Sequence, residues 1–132
     1  MRKARDWFMR FNPESAEEVF AAVRGEHSAY FRMVTTYWDM ACSFVNHGAI
    51  DAEMFNDANG EQVFVFAKLQ PFIEQIRANN GNPNAFRNLE QAVTAMPQAE
   101  ERLTRAREMS KAIAKARAAA TEGRTEADAA NA

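Results

Sequence analysis

The apolar pattern of residues 27–47 constrains the fold of this chain more than any other feature of its sequence. Apolar residues recur there at intervals of three and four, which is the period of an α-helix. They form two neighbouring stripes, whereas a helix at a protein surface needs only one. We therefore predict a central helix, over about 27–47, that is buried on two sides. The first stripe contains Tyr30, Met33, Tyr37, Met40 and Phe44, and the second contains Phe31, Val34, Trp38, Ala41 and Val45.

The rest of the chain also favours helices, because strand patterns are few and helix breakers separate the apolar runs. We predict an all-α fold, a bundle or orthogonal array of about six to seven helices around the helix at 27–47. Asn12 is the candidate N-cap of a helix that begins at Pro13, and Asn82 and Pro83 suit the same positions further along. The remaining helices are predicted at about 2–11, 13–24, 52–57, 61–79, 83–97 and 98–120.

The length and composition of the chain suit a single domain, since 47% of its 132 residues are hydrophobic. We expect this domain to span residues 1–120, with its core at about 12–97. The helix at 98–120 has a thin apolar stripe, so we expect it to be peripheral. Residues 121–132 contain no large apolar side chain, and we predict a disordered tail there.

The stretch FVNHGAIDAEMF, residues 44–55, is predicted to reverse the chain between two helices. Gly48 can take the left-handed conformation that ends a helix, and Asp51 can cap the next one. Ile50 and Phe55 stand at the two positions of a hydrophobic staple. Further along, Pro71 interrupts the predicted helix at 61–79, so we expect a kink there.

Charge is segregated along the chain although the overall net charge is only −2. Residues 1–10 carry a net charge of +3, residues 11–101 carry −8, residues 102–117 carry +5 and residues 118–132 carry −2. We expect the basic helix to lie against the acidic body, in the same chain or in a second copy. Nucleic acid is a disfavoured partner, because the acidic body repels phosphate.

The N-terminal segment interleaves basic and aromatic residues and supports three hypotheses. Its aromatic residues can enter a lipid surface, its basic residues can contact nucleic acid, or the aromatic residues can close the core, which is the interpretation we favour. No secretory signal and no apolar run of membrane-spanning length is visible, so we predict a cytoplasmic protein, with a peripheral position at the membrane as the alternative. The residues concerned are Arg2, Lys3, Arg5, Trp7, Phe8 and Arg10.

Residues that could support metal or nucleophilic chemistry are few. His27 and His47 lie on the same predicted helix, roughly 30 Å apart at about 1.5 Å per residue, so they cannot share a metal ion. Cys42 has no histidine at helical spacing to activate it, and we expect a buried structural thiol. We predict no metal, no cofactor and no catalytic residue, and we favour a protein that is not an enzyme.

The polar side of the central helix carries the one acid that could serve a binding site. Asp39 shares that side with Arg32 and Thr36. A structural ion pair with Arg32 or Arg77 is the simpler interpretation, and an acid in a small-molecule pocket is the alternative.

One resemblance bears on the fold. The run YWDMACSFVNHGAIDAEMF, followed by FAKLQPFIEQIR, resembles a bacterial family of small all-helical proteins known only as a domain of unknown function. The likeness covers roughly residues 26–95, and the sequence departs from the family pattern at Asn46, His47 and Phe66. The resemblance implies an all-helical fold and no established reaction. The positions of the pattern are occupied here by Gly48, Ala49, Ile50, Asp51, Phe66, Leu69, Pro71, Ile73 and Arg77, with Phe66 where tryptophan is expected.

We carry three functional hypotheses from the sequence. The first is a helical interaction or scaffold protein that binds a protein partner or further copies of itself through its basic terminal helices. The second is a peripheral membrane module that uses the N-terminal helix. The third is a small-molecule-binding protein or enzyme with a pocket near Asp39.

Overall fold

The structure, a computed structural model that describes residues 1–132, contains α-helices and one 3-10 turn but no strands. The prediction of an all-α fold is confirmed. Eight α-helices are present, because the kink at Pro71 separates one predicted helix into two. The helices are α1 Arg2–Arg10, α2 Ala16–Arg24, α3 Ser28–Asn46, α4 Ala52–Ala58, α5 Glu61–Leu69, α6 Ile73–Asn80, α7 Arg87–Thr94 and α8 Ala99–Ala130, and the 3-10 turn Gln70–Phe72 joins α5 to α6.

Helix α3 lies at the centre and contacts α1, α2, α4, α5 and α7. Only its second stripe is inside: Phe31, Val34 and Trp38 are buried. The prediction that α3 is buried on two sides is wrong, because the first stripe faces outward from Met33 to Phe44. The neighbouring helices cover one side of α3 and leave the other to solvent.

Helix α5 is the most deeply buried element of the fold. Every residue from Gln62 to Leu69 except Phe64 is buried, so this helix has almost no solvent face. A helix that is apolar all round belongs inside a protein. Helices α7 and α8 cover it, and Phe66 and Leu69 are completely inaccessible.

Two predicted helix starts are wrong. The N-cap of α2 is Ser15, not Asn12: its hydroxyl accepts a hydrogen bond from the backbone N–H of Glu18 at 3.2 Å. The Glu18 carboxylate accepts from the backbone N–H of Glu14, one residue before the N-cap, at 2.8 Å, so both side chains satisfy backbone donors at this helix end. Asn82 and Pro83 do not begin α7, which starts at Arg87 after a longer loop.

Helix α8 differs from its prediction at both ends. Leu103 and Ala106 are buried in the core, so its first turns are an integral part of the domain. The segment 121–132, predicted to be disordered, is helical to Ala130, in keeping with the high helix propensity of alanine. From residue 111 to the end, every side chain except Ala114 is exposed.

None of the helices combines the length and the apolar character that crossing a bilayer requires.

Candidate interaction surfaces

The reversal between α3 and α4 has the geometry that the sequence predicts. Gly48 is left-handed, with φ of 79°. Its N–H donates to the carbonyl of Val45 at 3.0 Å, and the N–H of Ala49 donates to that of Phe44 at 2.9 Å. These two bonds define the Schellman motif at a helix end.

The start of α4 also follows the prediction. The Asp51 carboxylate accepts the backbone N–H of Met54 at 2.9 Å, which caps the helix. Phe55 is buried and Ile50 packs against the same core. The stretch 44–55 is therefore a structural turn, in which Asp51 caps α4 and Asn46 donates to the carbonyl of Asn88 at 2.9 Å.

Asp39 caps a distant helix instead of serving a pocket. Its Oδ1 accepts the backbone N–H of Leu89 at 2.9 Å, and its Oδ2 accepts the Asn88 amide at 3.2 Å. Both donors belong to the first turn of α7, where a carboxylate also complements the helix dipole. The expected ion pair with Arg32 or Arg77 is not formed, and Asp39 does not line the clefts described below.

The other members of the predicted polar side are scattered. Arg77 donates to the Glu90 carboxylate at 3.0 Å and to the Ala85 carbonyl at 3.1 Å, which ties α6 to α7. Arg32 is exposed, and the Thr36 hydroxyl donates to its backbone carbonyl at 2.6 Å. The structure does not bring these side chains together around one cavity.

Lys68 is a buried cation that sequence reasoning missed. Its Nζ donates to the carbonyls of Phe8, Met9 and Phe11 at 2.8–3.1 Å, at the C-terminal end of α1. Burial, with a smaller contribution from the charge of Arg117, lowers the pKa of Lys68 to about 8. All three ammonium hydrogens are used, so this lysine fastens α1 to α5. The only signal in the sequence is a charged residue within an otherwise apolar run.

A second network fixes the N-terminal helix to the centre of the fold. The Arg5 guanidinium donates to the Glu61 carboxylate, with Nε 2.9 Å from Oε2. The Trp38 indole N–H donates to the same carboxylate at 3.1 Å. Glu61 therefore links α1 to α3 from the first turn of α5.

The aromatic residues of α1 face inward, as the core interpretation expects. Phe8 is buried, and Trp7 stacks on Phe11 at 5.0 Å and on His27 at 5.1 Å between ring centroids. Phe8 is thus not at the surface where the membrane hypothesis requires it. The exposed basic residues of this helix are Arg2, Lys3, Arg5 and Arg10.

The histidines and the thiol have structural surroundings. The Nδ1 atom of His47 lies 2.8 Å from the carbonyl of Ser43 at the end of α3. Burial, helped by the charge of Asp39, raises the pKa of Cys42 to about 12, so its thiol is protonated at neutral pH. No group of three metal-binding side chains lies close enough together to hold an ion.

Four exposed large apolar side chains of α3 form one surface, the α3 stripe, which we define as Met33, Tyr37, Met40 and Phe44. These side chains are between 43% and 50% exposed. Their spacing of four, three and four residues places them on one side of the helix, over about 16 Å. Contiguous exposed apolar residues mark contact sites more often than scattered ones do.

A second surface, the acidic α4 face, consists of Asp51, Glu53 and Asp57 around Met54. Met54 is 62% exposed, more than any other large apolar side chain. None of the three acids forms an ion pair, and residues 33–67 contain no lysine or arginine. This surface is therefore negative and uncompensated.

A third surface, the basic cleft, lies between the end of α1 and the exposed half of α8. Its volume is about 640 Å³. The basic helix does lie against the acidic body, since α8 packs on α5 and α7, but no ion pair joins α8 to the rest of the chain. The apolar lining of the cleft includes Met9, Ile113 and Ala114, and its basic lining consists of Arg10, Arg117 and Arg124.

Comparison with protein families identifies the family of this chain. The model of a family described as "Domain of unknown function (DUF4760)" matches residues 1–96, well over half of the chain. The chain belongs to the DUF4760 family. The resemblance to a family known only as a domain of unknown function is thereby confirmed. No curated protein and no solved structure matches the chain.

The three surfaces differ in whether they lie within the region matched by the DUF4760 model. The matched region includes the α3 stripe and the acidic α4 face, and it ends before α8 begins. The basic cleft therefore joins one wall from the DUF4760 region to one wall outside it.

Proposed function

We propose that this DUF4760 protein is a non-enzymatic helical interaction protein that associates with further copies of itself. The α3 stripe is the observation that carries the proposal, because four large apolar side chains on one helix remain about half exposed. The polar groups that could have served catalysis support the same conclusion. Asp39 and Lys68 are engaged in helix capping, and Cys42 is buried and protonated.

A second copy is a suitable partner for the α3 stripe. The spacing of four, three and four residues is that of the a and d positions of a coiled coil, so two such stripes can pack together. A contact of a patch with itself about a two-fold axis closes after two copies. Covering the stripe on both copies removes about 700 Å² of apolar surface, less than half of a standard interface of about 1,600 Å². We therefore expect weak association that depends on protein concentration.

Sedimentation velocity over a concentration series tests this proposal. The intact protein should shift from its 14.9 kDa monomer toward a dimer as concentration rises. The double variant Met33→Glu, Met40→Glu should remain monomeric, because it places two charges in the contact. Arg32→Glu is the matched control, since it changes the net charge equally at an exposed position of α3. A monomer at every concentration would refute the proposal.

A truncation of α8 tests association through the terminal helices only if it leaves the core intact. Removing residues 98–132 deletes Leu103 and Ala106 from the core and would unfold the domain. Removing residues 116–132 takes away only exposed side chains and leaves the core intact.

A cytoplasmic location belongs to the proposal, and a single cysteine without a disulfide partner is compatible with it.

A further inference from the structure

Building on the proposed self-association, we propose that the acidic α4 face of one copy docks into the basic cleft of another. This contact is separate from the α3 stripe. The contact is heterologous, because it joins two different surfaces. Repeated from copy to copy, it links the protein into chains or rings, and two copies can also form the contact twice as a reciprocal pair.

The basic cleft has the shape and charge of a docking site. Met9, Ile113 and Ala114 give it an apolar lining between two helices. None of its three arginines has an acidic partner. Asp6 is the only acid that lines the cleft or the groove adjoining it, against three arginines.

The acidic α4 face is complementary to this cleft. Met54 is the most exposed large apolar side chain of the molecule and projects from among three carboxylates. On the α4 face an apolar side chain lies among acids, and in the basic cleft an apolar lining lies among arginines, so the two surfaces match in both polarity and charge. Arginine guanidinium groups pair well with carboxylates, and bidentate geometry strengthens such pairs.

The chain itself contains both halves of this contact, which favours a second copy over other anionic partners. The two halves lie at different places on one molecule, and no ion pair within the chain joins α8 to the acidic residues. A bilayer is flat, whereas the cleft is concave. The aromatic residues of α1 that could anchor in lipid are packed against the core.

Charge reversal on each surface gives a decisive test. We define the cleft variant as Arg117→Glu with Arg124→Glu, and the α4 variant as Glu53→Lys with Asp57→Lys. All four side chains are exposed, so both variants should fold, as circular dichroism can check. Asp51 is left unchanged because it caps α4.

Each variant alone should associate at least about tenfold more weakly than the intact protein in sedimentation velocity. An equimolar mixture should recover the association, because the cleft of the α4 variant still accepts the unaltered α4 of the cleft variant. The intact protein should also associate more weakly in high salt, which screens exposed charges. The matched control is Arg105→Glu with Lys115→Glu, which changes α8 by the same charge outside the cleft and should behave as the intact protein.

Other outcomes would overturn the inference. If the intact protein associates and both variants do so equally well, the contact is elsewhere and the proposed function stands. If mixing fails to recover association, the two surfaces are not partners. If the protein is monomeric but binds vesicles with one-third phosphatidylserine, and the cleft variant does not, the cleft is a lipid site. If it is monomeric and binds no vesicles, the proposed function fails too.

Discussion

Replacing Asp39 with alanine tests whether this carboxylate is a structural cap. Leu89 is buried, and its backbone N–H donates to Asp39 across 50 positions of sequence. Removing the acceptor leaves a donor in the first turn of α7 unsatisfied, which costs about 1–3 kcal/mol. Losing a negative charge at that helix end costs about 0.3–1 kcal/mol more. We therefore expect Asp39→Ala to lower the free energy of unfolding by about 2–3 kcal/mol.

Two further variants separate the hydrogen bond from the charge. Asp39→Asn keeps an oxygen that can accept the Leu89 N–H, so it should cost about 1 kcal/mol or less. Asp57→Ala removes an exposed acid of α4, and it should change stability by less than about 0.5 kcal/mol.

Urea unfolding followed by far-UV circular dichroism measures all three variants. Equal slopes against urea show that the free energies are comparable. If Asp39→Ala were as stable as Asp57→Ala, the assignment of Asp39 as the cap of α7 would be wrong. The hypothesis that Asp39 serves a small-molecule pocket would then be favoured again.

Three more predictions follow from the same structure. Gly48→Ala should cost about 1 kcal/mol in urea unfolding, because alanine resists positive φ. The control is Gly123→Ala, at an open and exposed position within α8 without positive φ, which should not destabilise the fold. Equal effects of the two changes would contradict the left-handed cap. Lys68 has a pKa of about 8 in the fold, below its ordinary value of 10.5, so its contribution to the free energy of unfolding should rise between about pH 8 and 10.5. Lys68→Met should abolish that rise. If the pH dependence of the free energy of unfolding were unchanged in this variant, Lys68 would not be its source. The pH dependence that Cys42 contributes has the opposite sign. Its pKa rises from 9.0 to about 12 in the fold, so the free energy of unfolding should fall above about pH 9, and Cys42→Ala should remove that loss. A thiol that reacts rapidly with a disulfide reagent in the native protein would refute the burial of Cys42.

Local signals explain which parts of the fold the sequence could predict. The turn at Gly48 and Asp51 depends on residues within a few positions of each other, and it has the predicted geometry. The kink at Pro71 is equally local, because proline acts on its own turn. The correct cap of α2 was also visible: Ser15 precedes Glu18 by three residues, which is the spacing of a capping box, whereas Asn12 has no such partner.

Contacts between distant residues explain what the sequence could not predict. The two stripes of α3 are similarly apolar, and only the positions of α1, α5 and α7 decide which one is buried. Asp39 finds its donors on α7, and Lys68 finds its acceptors on α1, 57 to 60 positions away. Periodicity says that a helix has an apolar side, but it does not say what covers that side.

Oxidation of individual methionines by peroxide tests the central claim most directly, because it reads the exposure of the α3 stripe in the assembled protein. Met33 and Met40 are 43% and 50% exposed in the single chain, and Met109, outside the stripe, is 47% exposed. We predict that the oxidation rates of Met33 and Met40 fall as protein concentration rises, while that of Met109 stays constant. Unchanged rates at Met33 and Met40 in a protein that has associated would show that the α3 stripe is not the contact.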